Sequence, residues 1–325
     1  MPQNCVLCSS ELLSPLSHKD RHGERLLTVI CENCGLICNS PVPTEEELGD
    51  FYKNRYRKQY KGVVIPKLKH HYRYSKGLVA SIKSFPDYYL QAERVLDIGC
   101  GGGEFVSMMK HLGKKVEGIE PAQGYAKYIS DTFGVNVFCG SVDDFISTYR
   151  FDLVRMNHVL EHMRDPVSKL KKVRTLLAEN GKLFIEVPNF IQYCETKSPG
   201  GIFHYGHIYN FDALTLKAVA AKAGFKVNHA LGPTSIFFEK SWGGEDLHIN
   251  LFENASNNKT AFYLHMKGYH RPVQSYLPRL LRKQVKQINE LIAVRRLKTP
   301  EAILSYFSQE IAILSRVFNK EKTEN

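Results

Sequence analysis

The sequence predicts an α/β fold built on a doubly wound parallel sheet, with a small cysteine-bearing module before the sheet and a helical extension after it. Three features predict this. The run Val95-Leu96-Asp97-Ile98 reads as a buried strand entering a glycine loop, Gly99-Cys100-Gly101-Gly102-Gly103, and an amphipathic helix comes next. Apolar strands then alternate with amphipathic helices as far as residue 230. Two Cys-x-x-Cys pairs precede this alternation and stand apart from it.

The N-terminal pairs, Cys5-Val6-Leu7-Cys8 and Cys31-Glu32-Asn33-Cys34, are separated by 22 residues. Each can aim two thiolates at one ion, and Ser9 and Gly35 ease the tight turn after each pair. Cys5, Cys8, Cys31 and Cys34 are therefore expected to form a closed structural zinc site with no open position for catalysis. Paired disulfides, disfavoured in a reducing cytoplasm, and four unligated thiols are the alternatives. Cys38, Cys100, Cys139 and Cys194 lack such spacing and read as small buried apolar residues. Thr44 and Glu47 have the spacing of a capping box that starts a short helix, and the ribbon module is placed at residues 1–50.

Residues 51–90 are expected to be basic, aromatic linker helices. Between 51 and 76 there are nine Lys or Arg and no acid, interleaved with Phe51, Tyr52, Tyr56, Tyr60, Tyr72 and Tyr74. Aromatics among cations can stack bases while neutralising phosphates. The same composition suits a helix whose tyrosines pack on the adjoining domain with its lysines in water, which is preferred because no recognised RNA-binding motif accompanies it.

After the glycine loop, Phe105, Met108, Met109 and Leu112 recur at helical spacing, with Gly113 as the stop. Gly99 and Gly101 let backbone approach a ligand at the carboxyl end of a strand, where open α/β sheets bind their ligands. A dinucleotide fingerprint needs a third glycine at position 104. Glu104 stands there instead, beside the helix N-terminus where a pyrophosphate would sit, so a phosphate cradle is disfavoured. The next apolar strand, Val116 to Ile119, ends at Glu120, about twenty residues on, where an acid can bind a ribose diol.

These motifs resemble those of the class I S-adenosylmethionine-dependent methyltransferases. Asp97, the loop Gly99-Cys100-Gly101 and Glu120 match that family's cofactor motifs. The segment Phe151-Asp152-Leu153-Val154-Arg155-Met156-Asn157-His158-Val159-Leu160-Glu161-His162 is similar to its fourth strand and the turn beyond that strand, and Gly181 to Asn189 to its fifth. The resemblance implies a Rossmann-like sheet, in a domain placed at residues 91–270, and S-adenosylmethionine as cofactor. It also implies that Glu120 takes the ribose hydroxyls, that the Gly99 to Gly101 backbone contacts the methionine moiety, that Ser141 and Val142 flank the adenine, and that Asn157 and His158 line the cofactor. Many relatives carry Asp where Ser141 stands. The leader, with Gly35, Pro41 to Leu48 and Phe51-Tyr52, resembles the zinc ribbon of a subgroup that commonly modifies sugars or other small metabolites.

Methyl transfer from a sulfonium needs an acceptor lone pair held in line with the methyl group, and a base only when the nucleophile is poor. The segment Phe203-His204-Tyr205-Gly206-His207-Ile208-Tyr209-Asn210-Phe211 resembles a His-containing segment of the subgroup, with His207 at the matching place. His207 is the candidate catalytic base, weighed equally against a role in pinning its loop. His204 is less favoured. Glu161 and His162 are expected to organise the turn after the fourth strand, and Glu186 to hydrogen-bond a loop.

Elsewhere the alternation continues. Pro121 to Phe133 reads as a helix ending at Gly134, Val135 to Cys139 and Phe151 to Met156 as strands, and Asp165-Pro166 as the start of a helix running to about Ala178. Asn180-Gly181 turns the chain into the strand Leu183 to Val187, and Asp212 caps a helix stopped by Gly224. Phe225 to Ala230 and Ala261 to Met266 are expected to be the late strands, with residues 231–260 an insertion. Residues 271–325 carry two apolar-periodic helices, over 275–297 and from Thr299-Pro300-Glu301 to near Phe318. Such a hairpin packs on the core, closes over the substrate or dimerises, and the oligomeric state stays open.

A chain of 325 residues can bury a full α/β core, and no apolar run is long enough to span a bilayer. The expected location is the cytoplasm. A net charge of +11 implies an anionic partner: a small-molecule or glycan acceptor with anionic character is preferred over nucleic acid. The function expected from these readings is methyl transfer to a hydroxyl, less favourably a carbon, of a sugar, polysaccharide precursor or related metabolite. The alternatives are an rRNA or tRNA methyltransferase and a non-catalytic cofactor-binding scaffold. Against the RNA reading, Arg155-Met156-Asn157-His158 lacks the Asn-Pro-Pro-Tyr type motif that grips exocyclic amines.

Overall fold

The computed structural model describes residues 4–51, 66–198, 200–241, 251, 253–268 and 276–324. The stretch 52–65, which holds much of the basic linker, lies outside the described residues. In chain order the elements begin with β1 (Leu13–Lys19), β2 (Arg25–Cys31), β3 (Ile37–Asn39), α1 (Glu45–Asp50), α2 (Leu68–Ser84) and α3 (Pro86–Leu90). The alternation then runs through β4 (Arg94–Ile98), α4 (Glu104–His111), β5 (Lys115–Ile119), α5 (Gln123–Phe133), β6 (Asn136–Phe138), β7 (Phe151–Asn157), a 3-10 turn (Leu160–His162), α6 (Pro166–Leu176) and β8 (Leu177–Glu186). After these come α7 (Phe190–Thr196), β9 (Tyr209–Asn210), α8 (Ala213–Lys222), β10 (Phe225–Gly232), β11 (Ser235–Lys240), α9 (Asn254–Met266), α10 (Tyr276–Leu297) and α11 (Pro300–Glu324).

A seven-stranded sheet has the order β10-β11-β8-β7-β4-β5-β6, and a four-stranded sheet the order β1-β2-β3-β9. In the larger sheet β4 pairs with β5 and β5 with β6 in parallel, while β10 and β11 form an antiparallel hairpin. Strand order reverses beside β4, whose carboxyl end is therefore the switch point where such sheets bind ligands. Val95 and Leu96 on β4 are fully buried, as expected of a parallel strand covered on both faces.

The chain divides into two compact units: residues 1–56, 156–175 and 183–275, and residues 57–155, 176–182 and 276–325. In the second, α11 lays Ile303, Leu304, Phe307 and Ile311 onto α2 and α4. The terminal hairpin thus packs on its domain, and α11 runs past Phe318 to Glu324. Arg73 on α2 holds α10 through a two-pronged contact, Nε to Glu290 Oε1 at 2.9 Å and Nη2 to Oε2 at 2.7 Å. In the first unit a core of Ile30, Ile37, Phe190, Phe203 and Phe262 joins the small sheet to α7 and α9.

Three expectations are overturned, one of them the burial of Cys139, which is exposed. Ala261 to Met266 belongs to α9, and the late strand is β11. The buried positions of α9 are Asn254, Ala255, Asn258, Phe262 and His265, so three polar side chains conceal the apolar period of a helix. β11 buries Ile236, Phe237 and Phe238 consecutively, the pattern of a strand covered on both faces. Asn180-Gly181, expected as a turn before the fifth strand, lies within β8.

Candidate functional site

The glycine loop belongs to the second unit. Gly99, Gly101 and Gly103 have φ of 70°, 55° and 83°, left-handed conformations that favour glycine. Glu120 comes directly after β5 and fastens this loop: Gly101 N–H donates to its Oε2 at 3.0 Å and Ala122 N–H to its Oε1 at 3.0 Å. Asp97, 1% exposed at the end of β4, receives Arg155 Nη1 at 3.0 Å. Burial raises its carboxyl to about 6, with Arg155 opposing the rise. Val142 is buried, whereas Ser141 is exposed and its hydroxyl reaches Asp143 Oδ2 at 3.4 Å.

Glu104 is the first residue of α4. Its carboxylate lies 2.8 Å from Nδ1 of the buried His71, whose Nε2 is 3.1 Å from the Tyr128 hydroxyl. A Cβ added at Gly102 would meet the Glu104 carboxylate at 2.5 Å, so a negative group already covers the start of this helix. A carboxylate at this place disfavours a phosphate at the helix start. The His71 contact left no signal in the sequence, because α2 carries no motif at that position.

The first unit contains Asn157, His158 and His207. Asn157 ends β7, and His158 comes next with φ of 55°, its N–H bonded to Glu186 O at 2.8 Å. His158 Nδ1 lies 3.5 Å from Glu161 Oε1 and Nε2 3.6 Å from Glu186 Oε1. Ser235 in turn donates to Glu186 Oε2 at 2.8 Å. His207 Nε2 lies 3.9 Å from Glu161 Oε1, and its ring is 3.7 Å from His204 and 4.8 Å from His162, centroid to centroid. Burial, then His162, His204 and His158, hold His207 well below the usual histidine range, and burial first of all brings His204 to about 2. Both imidazoles are neutral at physiological pH. Glu161 and His162, expected only to shape the turn, face His207 directly.

The four ribbon cysteines converge: their Sγ atoms lie within 4.8 Å of one another, with Cys5 to Cys34 and Cys8 to Cys31 each at 3.5 Å. Tetrahedral zinc with Zn–S near 2.3 Å needs sulfurs about 3.8 Å apart, so the donor set fits. Ser9 and Gly35, at φ 61° and 78°, make the turns after the two knuckles. Asp212 clamps this module onto α8 and α9. Its Oδ1 caps α8 through Leu214 N–H at 2.7 Å and Thr215 N–H at 3.0 Å. Its Oδ2 accepts from Asn254 and Asn258, whose amides also donate to the carbonyls of Cys34 and Gly35, each at 3.1 Å. Lys222 donates to the carbonyls of Val6 and Leu7. The strand after His207 completes the small sheet, with Ile37 opposite Asn210 and Cys38 opposite Tyr209.

A glycine loop at the carboxyl end of β4 and an acid directly after the next strand are features with which open α/β sheets meet a ribose-bearing ligand. Residues 69–230 match the family described as a methyltransferase domain, and the chain belongs to that family through this domain. Among curated proteins the chain is similar to ubiquinone biosynthesis O-methyltransferases. It is 35% identical over 111 residues to that of Glaesserella parasuis, covering 31% of this chain and 47% of that protein. It is 35% identical over 107 residues to that of Xanthomonas oryzae, covering 31% and 45%. The chain spans about half the length of these relatives. A structure of a Burkholderia thailandensis 1,6-didemethyltoxoflavin-N1-methyltransferase aligns with TM-score 0.45 and 16% identity over 64% of this chain and 96% of that one. Among the described residues no helix is long and apolar enough to cross a membrane.

Proposed function

We propose that the protein transfers the methyl group of S-adenosylmethionine to a hydroxyl of a small molecule, with a sugar, a polysaccharide precursor or a related metabolite as the preferred class. The observation that carries this is Glu120, a 9% exposed carboxylate at the end of β5 that is tied to the glycine loop within a methyltransferase domain. Glu120 would take the ribose hydroxyls, the Gly99 to Gly101 backbone the methionine moiety, and Ser141 and Val142 the adenine edge. Bound there, the cofactor supplies an electrophilic methyl group on a cationic sulfur. Glu104 supports the assignment, since it disfavours phosphate-bearing cofactors at the same helix start.

The curated relatives are named for O-methyl transfer, which favours a hydroxyl over a carbon acceptor. His207 is assigned to that hydroxyl: a neutral imidazole that orients the oxygen or receives its proton. The four cysteines are assigned a structural zinc, in keeping with a cytoplasmic protein whose thiols stay reduced. The test is formation of S-adenosylhomocysteine by the purified protein, offered S-adenosylmethionine with catechols, nucleotide-sugars and free sugars in turn. Turnover with a hydroxyl acceptor is expected. Absence of S-adenosylmethionine binding in calorimetry would overturn the proposal at its root.

A further inference from the structure

Glu161 lies in the 3-10 turn after β7, 1% exposed, and among the described residues neither of its carboxylate oxygens accepts a hydrogen bond. A buried carboxylate without donors is costly unless a cation neutralises it. Three imidazoles surround it. His158 Nδ1, His162 Nε2 and His207 Nε2 stand 3.5, 3.6 and 3.9 Å from the same oxygen, Oε1. None of these is a hydrogen-bond distance, and all are close to what a shared ion requires. Donor atoms bound at about 2.0–2.1 Å to a tetrahedral ion lie about 3.3 Å apart. The donor atoms of Glu161, His162 and His207 all fall within 4.8 Å of one another.

The orientation of His162 points the same way. Its Nδ1 is 2.5 Å from the carbonyl oxygen of Gly206, which can only accept, so Nδ1 carries the proton and Nε2 presents its lone pair toward Glu161. A backbone carbonyl holding the distal nitrogen is how metal-bound histidines are fixed in tautomer and direction. The same carbonyl belongs to the residue before His207, so the contact holds His162 beside the His207 loop.

We infer that Glu161, His162 and His207 form a second metal site, distinct from the cysteine cluster, that binds a divalent transition cation such as Zn²⁺ or Co²⁺. Two imidazoles and one carboxylate favour such borderline ions over Mg²⁺ or Ca²⁺, which prefer oxygen ligands. Three ligands leave a position open, and the half-exposed His158 stands at its edge. On the methyl-transfer function proposed above, the open position takes the acceptor hydroxyl and makes it more acidic, its proton leaving to solvent water. His207 then orients the acceptor through the ion.

The test counts metal and needs no acceptor, so its outcome is independent of whether methyl transfer is found. Full-length protein is saturated with Co²⁺, freed of excess and assayed for metal by mass spectrometry, and its visible spectrum is recorded. Wild type should hold two ions per chain, one with thiolate-to-metal charge-transfer bands and one without. Glu161→Gln, close to isosteric, should keep the charge-transfer bands and lose the other ion, its affinity falling about 100-fold or more, since removing even an outer-shell partner costs 10–100-fold. His162→Gln serves as a second probe should Glu161→Gln fold poorly, with the same loss expected. A wild-type protein that saturates at one ion with only thiolate character overturns the site, as do two folded variants that each retain two ions.

Discussion

On the proposed assignment Glu120 would serve the fold and the cofactor together, because the carboxylate that would hold the ribose already receives Gly101 and Ala122. Glu120→Ala should weaken S-adenosylmethionine by about 1.5–3 kcal/mol, roughly 10- to 150-fold, the worth of hydrogen bonds to a charged group. Titration calorimetry on the folded variant decides it, and unchanged affinity would remove the assignment. Glu120→Gln, which keeps one acceptor for the loop, should fall between. For His207→Ala the expected signature is a fall in kcat of about 100- to 10,000-fold with a much smaller change in cofactor Kd. Wild-type turnover would end the catalytic assignment, and equal losses in kcat, Kd and Tm would mark His207 as a loop anchor. The place of Glu120 beside the glycine loop was legible in the sequence because it is one strand away from that loop and parallel pairing fixes that distance. Glu161 was not: its meeting with His207 depends on a long loop returning to the turn after β7, and no local spacing encodes such a closure.

Among the elements, α1 was readable in full from its capping box, since Thr44 and Glu47 satisfy each other's backbone donors. The attachment of the ribbon was not readable. Asp212 announces itself only as a helix cap, and its second oxygen is used by two asparagines from α9, a helix whose polar buried face disguised it as a strand. Asp212→Ala should therefore cost more than a cap, which is worth about 0.5–2 kcal/mol, because two buried amides lose an acceptor at about 1–3 kcal/mol each. Urea unfolding should show a loss of at least about 2 kcal/mol, and a loss within the range of a cap alone would show the asparagines to be indifferent to it. The clasp between α2 and α10 predicts a pH dependence. Arg73, through its hydrogen bonds to the carboxylate, holds Glu290 below the ordinary glutamate range. A carboxyl depressed in the folded state stabilises the fold above its unfolded pKa, and that contribution is lost as pH falls through the folded value. Arg73→Ala should thus lower stability by about 1 kcal/mol or less at neutral pH, the usual worth of a partly exposed pair. The difference from wild type should vanish in acid below the carboxylate range. A difference that persists there, tracked by denaturant melts across pH, would assign the effect to packing.

At the scale of the molecule, the net charge of +11 does not by itself select a partner. If the charge serves small anionic acceptors or the fold, affinity for bulk RNA should be weak and should fall steeply with salt. Filter binding at physiological ionic strength checks this. Tight, structure-selective binding that disappears when Lys53, Arg55, Arg57 and Lys58 are neutralised would favour RNA methylation instead. Fold class was the most legible property of this chain, since alternating strand and helix periods admit few topologies. The pairing of β3 with β9 was the least, because β9 is only Tyr209–Asn210. That two-residue strand bears on how the chain can be cut and recombined. A chimera that trades the first fifty or so residues for another leader would leave the edge beside His207 unpaired, so the leader and the segment 203–211 must be exchanged together, as one inheritable piece.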